Sequence, residues 1–148
     1  MTDTPPPAAT AAKDAPHVDA LSPRTRLGEF EILSVLGVGG FGVVYKAFDH
    51  SLHRAVAIKE YLPLALAGRG HGLSVSVRTL SDESAFQSGL KSFVGEARLL
   101  AQFDHPSLVK VFRFWEAHNT AYMVMPLYNG MTLKQAREQM RTPPPEAW

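Results

Sequence analysis

Apolar residues recur along this chain at two periods, every second residue in several short runs and every third or fourth in one longer run. Leu27, Phe30, Ile32, Val35 and Leu36 form a β-rich run that stops at the glycine cluster Gly37, Gly39, Gly40 and Gly42. Val43, Val44, Tyr45, Ala47 and Phe48 follow and end at Asp49 and His50, whose polar side chains suit a turn. The pattern predicts a strand, a glycine loop and a second strand. In residues 54–61, RAVAIKEY, Ala55, Ala57 and Lys59 alternate with Val56, Ile58 and Glu60, which predicts a third strand with the lysine on the face of two small alanines. Residues 62–79 are mixed: Gly68, Gly70 and Gly72 punctuate them, and Ser74 to Val77 reads as a short exposed strand, so this stretch is an insert whose shape the pattern does not set.

Between Asp82 and Phe103 the period changes. Phe86, Leu90, Phe93, Ala97 and Leu100 recur at steps of four and three, the mark of an amphipathic helix. Gly89 and Gly95 each weaken it by ~1 kcal/mol relative to alanine, so it depends on tertiary packing. Asp104, His105 and Pro106 stop it. The run from Leu108 to Trp115 and the run from Thr120 to Met125, separated by His118 and Asn119, predict an antiparallel hairpin. Pro126, Asn129 and Gly130 break the pattern, and Thr132 can cap a short helix over Leu133 to Met140.

The start of the chain has no such period. Residues 1–23 hold five of the eleven prolines and no aromatic residue, too little apolar surface to offset ordering entropy. The expected organisation is a disordered Pro/Ala-rich leader over 1–26, a folded unit over 27–130 containing the insert at about 62–79, and a terminal stretch over 131–148 that includes the short helix. With 148 residues there is room for one modest domain. A formal charge of +1 gives no field that would attract nucleic acid or an anionic membrane. The absence of cysteine excludes disulfides, thiolate metal sites and a cysteine nucleophile, and suits a reducing compartment, so a cytoplasmic location is expected. No signal-peptide pattern opens the chain, and no apolar run approaches the ~20 residues needed to cross a bilayer.

Two motifs carry candidate chemistry. Gly37, Val38, Gly39, Gly40, Phe41, Gly42, Val43, Val44 form a G-x-G-x-x-G-x-V loop. Alone it fits a plain β-turn, a phosphate-covering hairpin or a dinucleotide fold. A dinucleotide site needs a helix directly after the glycines, whereas Val43, Val44 and Tyr45 continue as a strand. The second motif is Val56, Ala57, Ile58, Lys59, on the strand after the hairpin. An amine held among apolar strands needs a counter-charge to avoid a large desolvation cost. Glu96, at the edge of the helical stripe, can supply it better than Glu83 in the first turn or Glu60, which points away from the lysine.

With both motifs in order, residues 28–148 resemble the amino-terminal lobe of eukaryotic-type serine/threonine protein kinases, closest in wording to bacterial members (IKEYLP before the insert, TAYMVM after it). The resemblance implies an α+β fold, a five-stranded antiparallel sheet with one main helix and no carboxy-terminal lobe. It implies ATP as ligand, with Gly37, Gly39, Gly42 and Val44 in the loop over the phosphates, Lys59 on the α and β phosphates, and Glu96 pairing with Lys59. Leu36, Val44 and Ala57 would wall the adenine, Met125 would be the gatekeeper, and the Pro126 carbonyl and Tyr128 N–H would meet the base; proline lacks only the N–H, so Pro126 can still accept. Residues 131–148 would then be the helix after the hinge and the start of the second lobe.

The motifs H-R-D-x-x-x-x-N, D-F-G and A-P-E do not occur in these 148 residues. They would supply the catalytic base and the Mg²⁺ clamp, so Mg²⁺ and the protein substrate are expected only with a second lobe, and this chain alone is expected not to transfer phosphate. The alternatives are a non-catalytic kinase-lobe module that binds a partner, and, more distantly, a dinucleotide enzyme. A lobe interface of ~600 to 1,500 Å² left uncovered would make the chain marginally stable or self-associating. His50 and His53, spaced H-x-x-H, lack a third ligand nearby and read as an exposed turn rather than a metal site. Trp115 and its aromatic neighbours read as packing rather than a base-stacking platform.

Overall fold

A computed structural model describes residues 19–70, 72–103, 105–106 and 108–127. The elements are β1 (Arg26–Leu27), β2 (Phe30–Gly39), β3 (Gly42–Asp49), β4 (Arg54–Tyr61), β5 (Ala67–Arg69), β6 (Val75–Val77), a 3-10 turn (Leu80–Asp82), α1 (Glu83–Ala101), β7 (Arg113–Ala117) and β8 (Thr120–Pro126). The expected helix over 133–140, Asp104 in the stop signal of α1, and the leader up to residue 18 lie outside the described residues.

Six strands make one antiparallel sheet in the order β1-β2-β3-β4-β8-β7, and β5 and β6 make a separate hairpin. The sheet therefore has one strand more than the five expected. The extra one is β1, which straddles the boundary expected between the leader and the folded unit. The leader assignment needs correction over its described part: Leu21 is buried and its N–H donates to the Tyr45 hydroxyl at 2.9 Å, the Arg24 N–H donates to the Ile32 carbonyl at 2.7 Å, and the Ile32 N–H donates to the Thr25 carbonyl at 2.9 Å. The low apolar content of residues 1–23 hid the few residues that do pack.

The sheet curls until its edges meet. Phe30 stacks on Trp115 with ring centroids 5.9 Å apart, and Glu29 pairs with Arg113 beside them. Cross-strand pairing puts Ile32, Tyr45, Ala47, Val56, Ile58, Tyr122 and Val124 on the concave side, where all are buried. Fully burying such side chains contributes about 1.5–3 kcal/mol each before entropy is set against it. The turns follow local chemistry. Asp49 accepts from the N–H groups of Ser51 and Leu52, and His118 and Asn119 both take positive φ, closing a two-residue hairpin between β7 and β8.

The other side of the sheet receives α1. Phe86, Phe93, Val94 and Ala97 are its buried residues, and the Tyr61 ring lies between Phe86 and Phe93 at 5.2 and 5.8 Å. Gly89 is explained by this contact. A Cβ there would sit 2.2 Å from the Tyr61 hydroxyl, so the residue that lowers helix propensity is the one that lets the tyrosine in. At Gly95 a Cβ would meet nothing within 4 Å.

The insert at 62–79 takes its shape from a hairpin. Its β5–β6 hairpin closes onto the curled sheet: Val75 is buried, its N–H donates to the His118 carbonyl at 2.9 Å, and Asn119 Nδ2 donates to the Val75 carbonyl at 2.8 Å. In the expected exposed strand Ser74 to Val77, Ser74 and Ser76 are exposed, while Val75 is buried and Val77 half-buried.

Candidate functional site

The glycine loop is the tip of the β2–β3 hairpin. Gly39 pairs with Gly42, leaving Gly40 and Phe41 as the two turn residues, both exposed. Gly42 is fixed by a close approach: a Cβ would lie 1.9 Å from the Glu60 carbonyl oxygen. Leu62 N–H donates to the Phe41 carbonyl at 3.1 Å, tying the hairpin tip to the end of β4.

From this tip one face of the sheet can be followed strand by strand. Gly37 pairs with Val44, Val44 with Lys59, Ala57 with Met125 and Lys59 with Met123, so these residues share the face opposite the curl. Val44, Ala57 and Met123 are buried, while Leu36, Met125 and Pro126 are half-buried at its margin. Two expected site residues are placed elsewhere. Val43 is buried in the concave core and Val38 packs against it, so their side chains face away from Lys59 and only their backbone lines the loop. Tyr128 lies outside the described residues.

Lys59 is 5% exposed, with its ammonium 5.6 Å from the centre of the Phe93 ring of α1. Burial pushes its pKa below the ordinary value of 10.5, and the charge of Glu96 on the same helix acts in the opposite direction. Glu96 itself is exposed at the helix surface. The result is a cation on an apolar face, next to a hairpin of backbone N–H groups, with an acidic group on the neighbouring helix. Such an arrangement can take an anion bound to a flat apolar body.

Behind Lys59 the chain holds a second buried charge that sequence reasoning did not place. Glu60 is fully buried on the concave side. Arg69 Nη2 lies 2.7 Å from both of its carboxylate oxygens, and the Tyr45 hydroxyl donates to Oε1 at 2.6 Å. Tyr122 joins the cluster through Glu60 and Arg69, and its hydroxyl lies 3.1 Å from His118 Nδ1. Burial first and the Glu60 charge second push the Tyr45 and Tyr122 phenols far above the ordinary value of 10.0. One signal was available: Glu60 follows Val56 and Ile58 at a period of two, and a charge at an apolar position implies a buried partner. Nothing local indicated Arg69 as that partner.

Residues 30–147 match the family described as the Protein kinase domain. The chain belongs to the protein kinase family. It is 30% identical over 106 residues to the serine/threonine-protein kinase PknD of Protochlamydia amoebophila, covering 72% of this chain and 9% of that one. It is 32% identical over 108 residues to PrkC of Bacillus subtilis, covering 73% of this chain and 14% of PrkC. This kinase-family chain thus spans a small fraction of the length of the curated relatives it matches. A solved structure titled PpkA-294 apo form superposes with a TM-score of 0.74 at 49% identity, covering 84% of this chain and 43% of that one. The curled antiparallel sheet with one helix is accordingly the amino-terminal lobe of a kinase fold.

Strand pairing in this kinase lobe gathers Gly37, Gly42, Val44, Ala57, Lys59 and Met125 on one face or its rim. His50 and His53, by contrast, lie in the β3–β4 turn, both in edge contact with Phe48, and His50 Nε2 is 2.7 Å from Glu31. Among the described residues no helix is long and apolar enough to cross a membrane.

Proposed function

We propose that this lobe binds ATP within a serine/threonine protein kinase. The observation that carries the reading is the pairing of Val44 with Lys59 and of Ala57 with Met125, which puts a buried cation and an apolar bed side by side under the glycine hairpin. The residues fit the ligand by their chemistry. Glycines let backbone N–H groups approach phosphate oxygens, and Lys59 supplies a point charge for the α and β phosphates. Leu36, Val44, Ala57 and Met125 form the walls for adenine, and the Pro126 carbonyl is the acceptor at the rim.

Glu96 acts through Lys59. Its charge opposes the fall in pKa that burial imposes on the amine, and because it rides on α1, a shift of that helix changes the cation presented to phosphate. The burial of Lys59 makes its interaction with an anion stronger than it would be in water. ATP supplies the transferable phosphoryl group. Mg²⁺ and the protein substrate belong to the intact kinase, whose metal-holding and base motifs are not in this sequence.

Calorimetric titration of the chain with Mg-ATP tests the reading. Saturable binding that is lost in Lys59→Ala is the expected result; heat changes that are equal in parent and variant would overturn it. A second reading, a non-catalytic lobe that binds a protein partner, is favoured by one observation: Leu99 in the last turn of α1 and Phe103 just beyond it are 51% and 50% exposed. That reading takes the place of the first if the folded parent shows no nucleotide binding.

A further inference from the structure

We propose that Arg69, carried by the insert hairpin, is a positioning residue for the nucleotide face. By clamping Glu60 it fixes a strand end that bears Lys59 on one side and abuts the glycine hairpin on the other. The proposal deepens the ATP-binding reading and rests on it, but it names a residue that stands behind the sheet.

Residues 60–62 are the junction. Glu60 follows Lys59 in β4, and its carbonyl oxygen occupies the space a Cβ on Gly42 would need. Leu62 N–H donates to the Phe41 carbonyl at the hairpin tip. Tyr61 hydroxyl donates to the Phe86 carbonyl of α1 at 2.9 Å, and the Thr120 hydroxyl donates to the Tyr61 carbonyl. Lysine, glycine hairpin and helix are therefore all referred to three consecutive residues.

Arg69 holds that junction from the concave side. One of its amino groups bridges both Glu60 oxygens, its Nε donates to the Asp19 carbonyl at 2.9 Å, its backbone N–H donates to Asp19 Oδ1 at 3.2 Å, and its other amino group donates to the Leu73 carbonyl. The guanidinium is thus itself fixed by the insert and by the segment at residue 19. A planar fork of donors locks direction as well as distance, which a single ammonium cannot do. A buried carboxylate is also costly to strand, so Glu60 cannot leave Arg69 while the fold is intact, and the strand end cannot slide under the hairpin. Displacing the hairpin of residues 67–77 would consequently be felt at Lys59, on the other side of the sheet.

The test compares the full chain with Arg69→Met, Arg69→Lys and the double variant Glu60→Gln with Arg69→Met, which leaves no unmatched buried charge. Mg-ATP affinity, thermal midpoint and amide hydrogen exchange over residues 37–44 are measured where circular dichroism shows each protein folded. Arg69→Met is expected to weaken Mg-ATP binding roughly tenfold or more and to speed exchange in 37–44, with Arg69→Lys intermediate. The double variant is expected to recover thermal stability yet keep the weak binding and fast exchange. Parent-like affinity and exchange in the double variant, along with recovered stability, would overturn the proposal and leave Arg69 a purely structural residue. If Arg69→Met does not fold, the double variant decides alone. If the parent itself binds no Mg-ATP, the ATP reading fails, and the exchange rates over 37–44 still decide the role of Arg69.

Discussion

Lys59 and Glu60 are neighbours in one strand, both almost completely buried, yet they occupy opposite environments. Lys59 faces the helix side of the sheet, against an aromatic ring and within the field of an exposed glutamate. Glu60 faces the closed curl, where an arginine and two tyrosines surround it. On the ATP-binding reading proposed above, the Lys59 charge serves a ligand, and the fold bears the cost of its desolvation. A charge kept for the fold is matched on all sides, and removing either partner strands the other.

The sharpest break of this comparison is to delete each charge in turn. Glu60→Ala leaves Arg69 buried without its counter-charge and is expected to destabilise the chain by about 3–5 kcal/mol, read from chemical denaturation. Lys59→Met should leave stability unchanged or raised, because it removes a charge that burial disfavours. The same variant should weaken Mg-ATP binding by roughly ten- to hundredfold, the worth of one or two charge-assisted hydrogen bonds. Equal destabilisation by the two variants would show that both charges are structural.

The two glycines of α1 sharpen the comparison at smaller scale. Gly89→Ala must push the Tyr61 hydroxyl off its bond to Phe86, and overpacking of this kind costs about 1–3 kcal/mol. Gly95→Ala, with open space around it, should stabilise by about 0.5–1 kcal/mol. Opposite shifts in thermal midpoint are expected from one substitution type in one helix.

A pH series isolates Lys59. Its folded pKa lies below the unfolded value of 10.5, so between the two the unfolded chain binds more protons and stability rises with pH. The parent should therefore gain on Lys59→Met as pH climbs through the folded pKa towards 10.5. Tyr45, Tyr61 and Tyr122 act with the opposite sign: their raised pKa values favour folding below the ordinary phenol range, and that contribution is lost above it. They act alike in both proteins, so the difference between the two curves reports the lysine alone. A constant difference across the alkaline range would contradict the burial of its charge.

The smallest effect belongs to the seam of the curled sheet. Glu29 and Arg113 are paired there but remain 33% and 53% exposed, so Glu29→Gln should change stability by no more than ~1 kcal/mol, less at high salt.

Much of the lobe was legible from the chain. Period two placed β3, β4 and β8 and set Lys59 on the same face as Ala57; period three-to-four placed α1; His118 and Asn119 marked their turn. These follow from local geometry, in which side-chain direction is fixed by φ and ψ and by residue type a few positions away. The glycine spacing and the lysine motif made the family readable. Tertiary structure decided the rest: that the edges of the sheet meet at Phe30 and Trp115, that residues 19–26 join the fold, that the insert closes the curl, that Gly89 is needed by Tyr61, and that Glu60 pairs with Arg69. Each depends on residues far apart in the chain being brought into contact, as when Leu21 meets Tyr45 or Asp19 meets Arg69. A one-dimensional pattern shows that a residue must be buried, but the identity of what buries it is fixed only when the whole sheet has closed.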